Sequence, residues 1–114
     1  MILGVGVDVV DIARFTKTSK SLRFKLKYFS AREQSLSVQS LAGRFAAREA
    51  FYKALDNQDL FDKDNLEVIN DPSGKPRFIF SGELENYSIG KYFHLSISHC
   101  IEYAVAMVVI ETKN

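Results

Sequence analysis

Hydrophobic residues alternate in some segments of the chain and recur every three or four positions in others, which predicts both strands and helices. Alternating valines predict a first strand over residues 2–10, in the segment ILGVGVDVV. Its glycine-bearing face would let another backbone or a ligand come close. The clearest helix is predicted over 38–55, where apolar residues recur at helical spacing. Further strands are predicted over 66–70, 76–80, 93–98 and 103–110.

Polar residues mark where these elements begin and end. Asp11 is expected to cap a helix through the segment that follows it. Ser30 and Glu33 match a capping box, which predicts a new short helix. Residues 71–74, Asp-Pro-Ser-Gly, predict a turn between two strands, and Ser81 is expected to cap another short helix. Because strands and helices mix without a regular βαβ rhythm, we expect one compact α+β domain over residues 1–114, with a mostly antiparallel sheet packed by one long helix and shorter ones.

Composition narrows the class of protein. A chain of 114 residues supports one modest core, and 46% hydrophobic with 25% charged residues is typical of an ordinary globular protein. The sequence contains no apolar run long enough to cross a membrane, and we expect no leader peptide. The single cysteine, Cys100, forms neither an internal disulfide nor a thiolate cage. A reducing, cytoplasmic location is therefore expected.

The net charge of +1 conceals a basic segment. Residues 12–32 hold seven basic side chains and no acidic one, whereas all fourteen acidic residues lie elsewhere. Helix faces in contact with water usually mix both signs of charge, because i,i+4 pairs stabilise them. A solvated helix face is one interpretation of this segment, and a docking surface for an acidic partner is the other.

The segment HLSISHC, residues 94–100, contains both histidines of the chain. We expect a short buried strand, whose alternation places His94, Ser96 and Ser98 on one face and Leu95, Ile97 and His99 near the other. Ser98 and His99 end the strand, where a hydroxyl and an imidazole would reach phosphate oxygens. A histidine satisfied by a backbone carbonyl is the structural alternative. A Ser–His nucleophile pair is disfavoured, because neighbours on a strand point to opposite sides.

Two carboxylates are candidate functional groups. Glu49 and Lys53 lie one helical turn apart, with Arg44 near the same stripe, and would form an ordinary surface ion pair. Asp8 lies within an apolar strand, where a carboxylate is costly unless it is paired or bound to metal. Pairing with a nearby arginine is one account. The other is that Asp8 and Glu49 converge on Mg²⁺, with phosphate and water completing its oxygen shell.

Taken together, these segments resemble the holo-[acyl-carrier-protein] synthase family, the short-chain 4′-phosphopantetheinyl transferases. The matching blocks are GVGVDVVDIARF at 4–15, RFAAREAFYKAL at 44–55, NDPSGKP at 70–76 and HLSISHC at 94–100. Their order and spacing agree across nearly the whole chain. Two positions depart from the family pattern: Arg48 stands where lysine is common, and Cys100 stands where threonine is common.

The resemblance implies a 4′-phosphopantetheinyl transferase-like fold and a reaction. The phosphopantetheine arm of coenzyme A would pass to a serine of apo-acyl carrier protein, releasing adenosine 3′,5′-bisphosphate, in fatty acid biosynthesis. Mg²⁺ is the implied cofactor, and coenzyme A is a substrate. The resemblance also implies a homotrimer with active sites between protomers, and no nucleic-acid partner.

The resemblance further assigns roles to residues. Asp8 and Glu49 would hold the metal, and Lys53 and His99 would lie near the pyrophosphate as catalytic groups. Glu49 or a metal-associated water would take the serine proton, while His99 would bind phosphate or assist proton transfer. Contacts around the adenosine and its 3′-phosphate would come from Arg44 and from the turn that carries Asn70, Gly74, Lys75 and Pro76. Ser98 would also contact coenzyme A.

The basic segment acquires a partner in this interpretation. Acyl carrier proteins are small and acidic, so Arg14, Lys17 and Arg23 are expected to dock one. The main alternative is a small basic α+β module that binds RNA or an acidic protein without catalysis, which leaves Asp8 and Glu49 unexplained. A Mg²⁺-dependent phosphohydrolase that uses the same carboxylates is a second alternative.

Overall fold

The computed structural model, which describes residues 1–114, begins with a strand, continues through three helices and a hairpin, and ends with a helix and two strands. The elements are β1 Ile2–Asp11, α1 Ile12–Ser19, α2 Leu22–Tyr28, α3 Val38–Ala54, β2 Leu66–Asn70, β3 Pro76–Phe80, α4 Gly82–Ser88, β4 Lys91–His99 and β5 Tyr103–Thr112. Two single 3₁₀ turns precede β2. The predicted α+β class is confirmed.

Strands β1, β5 and β4 form an antiparallel sheet in that order, while β2 and β3 pair separately as a hairpin. Asp8 lies opposite Ala106 of the central strand, and Ala106 lies opposite Ile97. Two residues along, Ala104 separates Val10 from His99. This register sets the positions of Asp8 and His99 relative to one another.

Helix α3 packs directly on the glycine-bearing face of β1. A Cβ atom on Gly6 would lie 1.8 Å from the carbonyl oxygen of Ala50, and one on Gly4 would lie 1.8 Å from that of Ala54. Real Cβ atoms do not approach backbone so closely, so this contact requires glycine at both positions. The buried alanines of α3 and the inner residues of β5 complete the core.

The basic segment folds as two short helices instead of the single one predicted. Asp11 caps α1 by accepting a hydrogen bond from the Arg14 backbone N–H at 3.1 Å, and Ser21 caps α2 in the same way. Phe15 anchors both helices by packing against Phe24 and Phe45, at ring-centroid distances of 5.8 and 5.6 Å. Apolar side chains therefore attach these two helices to the core, and the basic side chains lie on the outer surface of the helices.

The short helix predicted at Ser30 is wrong, although its capping-box hydrogen bonds form. Ser30 N–H donates to Glu33 Oε1 at 3.0 Å, and Glu33 N–H donates to Ser30 Oγ at 3.3 Å. The segment nevertheless continues as turns, and Ser37 caps the next helix, α3, only four residues after Glu33. Ser81 precedes α4 as predicted but makes no side-chain capping bond.

Strand β4 is exposed on one face, so the prediction of a buried strand is wrong. His94, Ser96 and Ser98 all lie on that exposed face. Beside them the outer face of β1 and β5 is apolar and equally uncovered, with Val5, Val7, Val9, Tyr103, Val105 and Met107 all exposed. We call this surface the outer sheet face. None of the helices is both long and apolar enough to span a membrane.

Candidate active site

Asp8 and Glu49 lie in the same cleft, although they come from different elements. Asp8 is on the inner face of β1, and Glu49 is on the side of α3 that meets this strand. Both line a cavity of about 390 Å³ with Arg14 and the aromatic residues that anchor α1. The helix–strand packing that needs Gly4 and Gly6 is what brings these two carboxylates together.

Lys53 binds Asp8 at the side of this cleft. Its Nζ lies 3.0 Å from Asp8 Oδ1 and 3.1 Å from the carbonyl oxygen of Val7. The surface ion pair between Glu49 and Lys53 is not formed, and no arginine pairs with Asp8. The Lys53 side chain remains half exposed, which leaves the ammonium group accessible to a further anion.

The cleft holds more negative charge than the chain neutralises. Burial raises the pKa of Glu49, the neighbouring charge of Asp8 raises it further, and Lys53 offsets only part of the increase. A cation in the cleft would remove this repulsion. Asp11 also lines the cavity, but no third acidic, histidine or cysteine side chain is grouped with Asp8 and Glu49 closely enough to share a metal ion, so other ligand positions are left to water or substrate. This donor set fits Mg²⁺, which commonly binds through two carboxylates and phosphate oxygens.

The predicted docking residues surround the entrance to this region. Arg14 lines the cleft itself, while Lys17 and Arg23 are exposed on α1 and α2. Leu22 and Leu26 are also exposed on α2, at 67% and 62%. The surface therefore combines positive charge with apolar side chains, a combination typical of interaction surfaces.

Arg44 lies away from the Glu49–Lys53 stripe on which the sequence placed it. With Asn70 and Glu33 it lines a second pocket of about 280 Å³. Its Nε lies 3.5 Å from Glu33 Oε2, and the Glu33 carboxylate also accepts hydrogen bonds from Arg48. Burial, more than any other effect, lowers the pKa of Arg44.

Sequence reasoning missed the buried cluster around Glu33. A signal was present in the sequence, because Arg44 and Arg48 lie four residues apart on one helix. Two like charges at that spacing repel one another unless an anion lies between them. Glu33, whose backbone belongs to the preceding turns, supplies that anion.

The hairpin of β2 and β3 presents the other predicted coenzyme A residues at its turn. Asn70 lies opposite Pro76, and Gly74 adopts a φ of +89° that favours glycine. The Asp71 carboxylate accepts hydrogen bonds from Ser73 and from the Lys75 backbone. The hydrogen bond from the Ser73 hydroxyl is the main reason that the pKa of Asp71 is lowered. This turn leaves the Lys75 side chain exposed.

His99 is not brought to the Asp8–Glu49 cleft within one chain. It ends β4, two strands away from β1, and lines a separate cavity of about 430 Å³ with Ser37 and Ser40 from the start of α3. Ser98 lies on the outer sheet face instead. The predicted site residues therefore occupy three places on the chain: the carboxylate cleft, the Arg44 pocket with its hairpin, and the end of β4.

Comparison with known proteins connects this arrangement to a family. The family model of the 4′-phosphopantetheinyl transferase superfamily matches residues 4–108. The holo-[acyl-carrier-protein] synthase of Leifsonia xyli is 37% identical over 115 residues, covering 97% of this chain and 98% of that protein. The corresponding enzyme of Clostridium tetani is 38% identical over 125 residues, covering 97% of each.

Solved structures agree with these relatives. The Helicobacter pylori holo-[acyl-carrier-protein] synthase in complex with coenzyme A has a TM-score of 0.83 and 31% identity, covering 94% of this chain and 99% of that one. A holo-(acyl-carrier-protein) synthase from Bacillus anthracis, in complex with CoA (3′,5′-ADP), has a TM-score of 0.79 and 34% identity, covering 99% of both. The resemblance predicted from the four motifs is confirmed, and the chain belongs to the 4′-phosphopantetheinyl transferase superfamily, among the holo-[acyl-carrier-protein] synthases.

Proposed function

We propose that this protein transfers the 4′-phosphopantetheine arm of coenzyme A to a serine of apo-acyl carrier protein, in the cytoplasm and in support of fatty acid biosynthesis. The observation that carries the proposal is the cleft in which β1 and α3 bring Asp8 and Glu49 together beside Lys53. The names of the relatives and the coenzyme A complexes among the similar structures support the choice of substrates.

The reaction breaks the phosphoanhydride bond of coenzyme A and forms a phosphoester bond to serine. The serine oxygen of the carrier forms a bond to the β-phosphorus of coenzyme A, and the bond from that phosphorus to the bridging oxygen breaks. The leaving group is adenosine 3′,5′-bisphosphate, and the serine proton passes to a base. Positioning and charge neutralisation supply most of the catalysis in such transfers.

Each residue of the cleft would have its own role in this reaction. The half-exposed Lys53 ammonium stabilises charge on the leaving phosphate. Glu49 is suited to accept the serine proton, because a raised pKa makes a carboxylate a better base. Asp8 and Glu49 would hold Mg²⁺, which neutralises the pyrophosphate oxygens when it is bound.

Coenzyme A would extend from this cleft towards the hairpin. Arg44 and Asn70 share a pocket, and the turn that carries Gly74, Lys75 and Pro76 adjoins Asn70. This grouping supports the assignment of these residues to the adenosine and its 3′-phosphate. An arginine with free N–H groups is well matched to a phosphate.

We also propose that the protein works as a homotrimer. The outer sheet face exposes a contiguous apolar surface, which a second copy of the chain would cover. His99 and Ser98 lie far from their own chain's cleft, so a neighbouring protomer would bring them to the phosphates. Light scattering of Met107→Asp tests this assembly, with Glu83→Gln on the exposed surface of α4 as the control. Loss of the trimer and of activity is expected only for Met107→Asp, and an unchanged trimer would contradict the assignment.

Carrier-protein docking has its own test. Charge reversal at Arg23, which is exposed and outside the cleft, is expected to raise KM for the carrier about tenfold at low salt. The KM for coenzyme A should not change. Equal effects on both substrates would count against docking at this surface, and the same reversal at exposed Lys113 provides the control.

The decisive experiment is mass spectrometry of apo-acyl carrier protein after incubation with this protein, coenzyme A and Mg²⁺. Addition of one phosphopantetheine to one serine is expected. A binding module would leave the carrier unmodified. A phosphohydrolase would consume coenzyme A without modifying the carrier, so the two alternatives give different products.

A further inference from the structure

Glu33 is a buried carboxylate between two arginines. Glu33 is 1% exposed, and its two carboxylate oxygens accept hydrogen bonds from Arg48 at 3.2 and 2.7 Å. Arg48 also donates to the Leu66 carbonyl oxygen at 3.1 Å. Glu33 is held from the other side by the Ser30 backbone N–H at 3.0 Å. The carboxylate is thus fixed in place independently of Arg44.

Arg44 belongs to this cluster, but its hydrogen-bond donors are not all used there. Its Nε lies 3.5 Å from Glu33 Oε2, yet this nitrogen is buried without a hydrogen-bond partner. Two guanidinium groups share the Glu33 carboxylate, and Glu67 attracts Arg44 more weakly, so positive charge remains on Arg44. Arg44 donates no hydrogen bond within the chain and lines the pocket that it shares with Asn70. An anion in the pocket would supply its guanidinium group with a hydrogen-bond acceptor.

We propose that Glu33 is a positioning residue, which holds the Arg44 guanidinium at the edge of this pocket to receive the 3′-phosphate of coenzyme A. The inference rests on the proposed function, because it takes the substrate from there. Without the carboxylate, Arg44 and Arg48 would repel one another across a single helical turn. The long Arg44 side chain would then turn towards water and lose its alignment with the pocket.

The test compares coenzyme A with 3′-dephospho-coenzyme A, which lacks the group that Arg44 is proposed to bind. The kinetics of transfer to apo-acyl carrier protein are measured for the wild type, Arg44→Gln, Glu33→Gln and the double variant. Loss of a charge-assisted contact is expected to raise KM for coenzyme A about tenfold to hundredfold in Arg44→Gln. Glu33→Gln should raise it about tenfold, and neither change should alter kcat or KM for the dephospho substrate.

The double variant separates positioning from a general loss of structure. If Glu33 acts through Arg44, the double variant is no worse than Arg44→Gln alone, because the two residues form one unit. Glu83→Gln is the control, because Glu83 is exposed on α4 and forms no ion pair with Arg44 or Arg48. It should leave both KM values unchanged.

The outcomes distinguish this inference from the proposed function. A KM increase in Arg44→Gln confined to coenzyme A, with none in Glu33→Gln, overturns the role of Glu33 and leaves the transferase intact. Equal increases for both substrates, or additive effects in the double variant, also overturn it. Absence of transfer by the wild type overturns the proposed function itself. If Glu33→Gln does not fold, Glu33→Asp shortens the side chain by one methylene group and so draws the carboxylate away from Arg44, which should raise the KM for coenzyme A; an unchanged KM in that variant overturns the inference.

Discussion

The two acidic centres beside α3 differ in how completely their charge is neutralised. Around Glu33, two arginines surround one buried carboxylate, and Arg48 satisfies both of its oxygens. Around Glu49, two carboxylates share one lysine, which binds only Asp8. The Glu33 carboxylate is sealed within the protein, although Arg44 beside it lines a pocket, whereas the Glu49 centre opens into a cleft.

This difference indicates what each centre does. Both oxygens of the Glu33 carboxylate already accept hydrogen bonds from Arg48, so they are not free to bind a divalent cation. This cluster instead holds the surrounding structure in place. Burial first, and then the uncompensated charge of Asp8, raise the pKa of Glu49, and a bound cation would relieve the repulsion between the two carboxylates. The acidic residues packed beside α3 thus separate into a structural group and a reactive group according to their counterions.

The largest effect is expected when the open centre is broken. Glu49→Gln removes the proposed base and a metal ligand, so turnover should fall by about 10²- to 10⁴-fold. Mass spectrometry of the carrier measures the rate, and circular dichroism should show an unchanged fold. Glu83→Gln, on the exposed surface of α4, is the control. Near-normal turnover in Glu49→Gln would remove Glu49 from the mechanism.

Breaking the sealed centre should affect stability first. Arg48→Met leaves Glu33 buried beside only Arg44, and loss of one partner of a buried pair costs about 3–5 kcal/mol in the free energy of unfolding. Arg32→Met is the matched control, since that side chain is 74% exposed and lies 3.9 Å from Glu67. Its cost should be about 1 kcal/mol or less. Similar denaturation midpoints for the two variants would show that the Arg48 pair contributes no more than a surface pair.

The smallest effect concerns the pH dependence of the open centre in metal-free protein. The folded-state pKa of Glu49 is raised, so the folded protein binds more protons than the unfolded chain, and stability falls as the pH rises from the ordinary glutamate value through the raised pKa. Glu49→Gln removes this loss. Its Tm at neutral pH in a chelator should exceed that of the wild type by a few degrees, and the difference should vanish below the unfolded pKa. A neutral-pH Tm below that of the wild type would show that ionised Glu49 stabilises the fold.

The elements predicted correctly are those that local patterns determine. Helix α3 and both hairpin strands match their predicted bounds within one residue, because periodicity and turn residues specify them. The helix at Ser30 did not form although its capping-box hydrogen bonds did, since the chain continues as turns and Ser37 begins α3 four residues after Glu33. A capping box therefore did not by itself predict a helix.

The candidate site was harder to predict from the sequence than the secondary structure was. The resemblance to a family selected Asp8 and Glu49, but no spacing rule places a strand residue beside a helix residue forty-one positions later. Strand β1 has small or apolar residues on both faces, so alternation alone does not show which face is buried. The partner of His99 is not determined by one chain, because the register of β4 directs it away from the carboxylates.

The two glycines of β1, Gly4 and Gly6, allow helix α3 to pack directly on the strand beside Asp8 and Glu49. Asp8 and Glu49 belong to separate elements. Their backbones lie close together because Gly4 and Gly6 have no Cβ atoms between the strand and the helix. A single methyl group on Gly6 would push the helix outwards and move the carboxylates apart, without altering either acid. The distance between the two proposed metal ligands therefore depends on two residues that have no side chain.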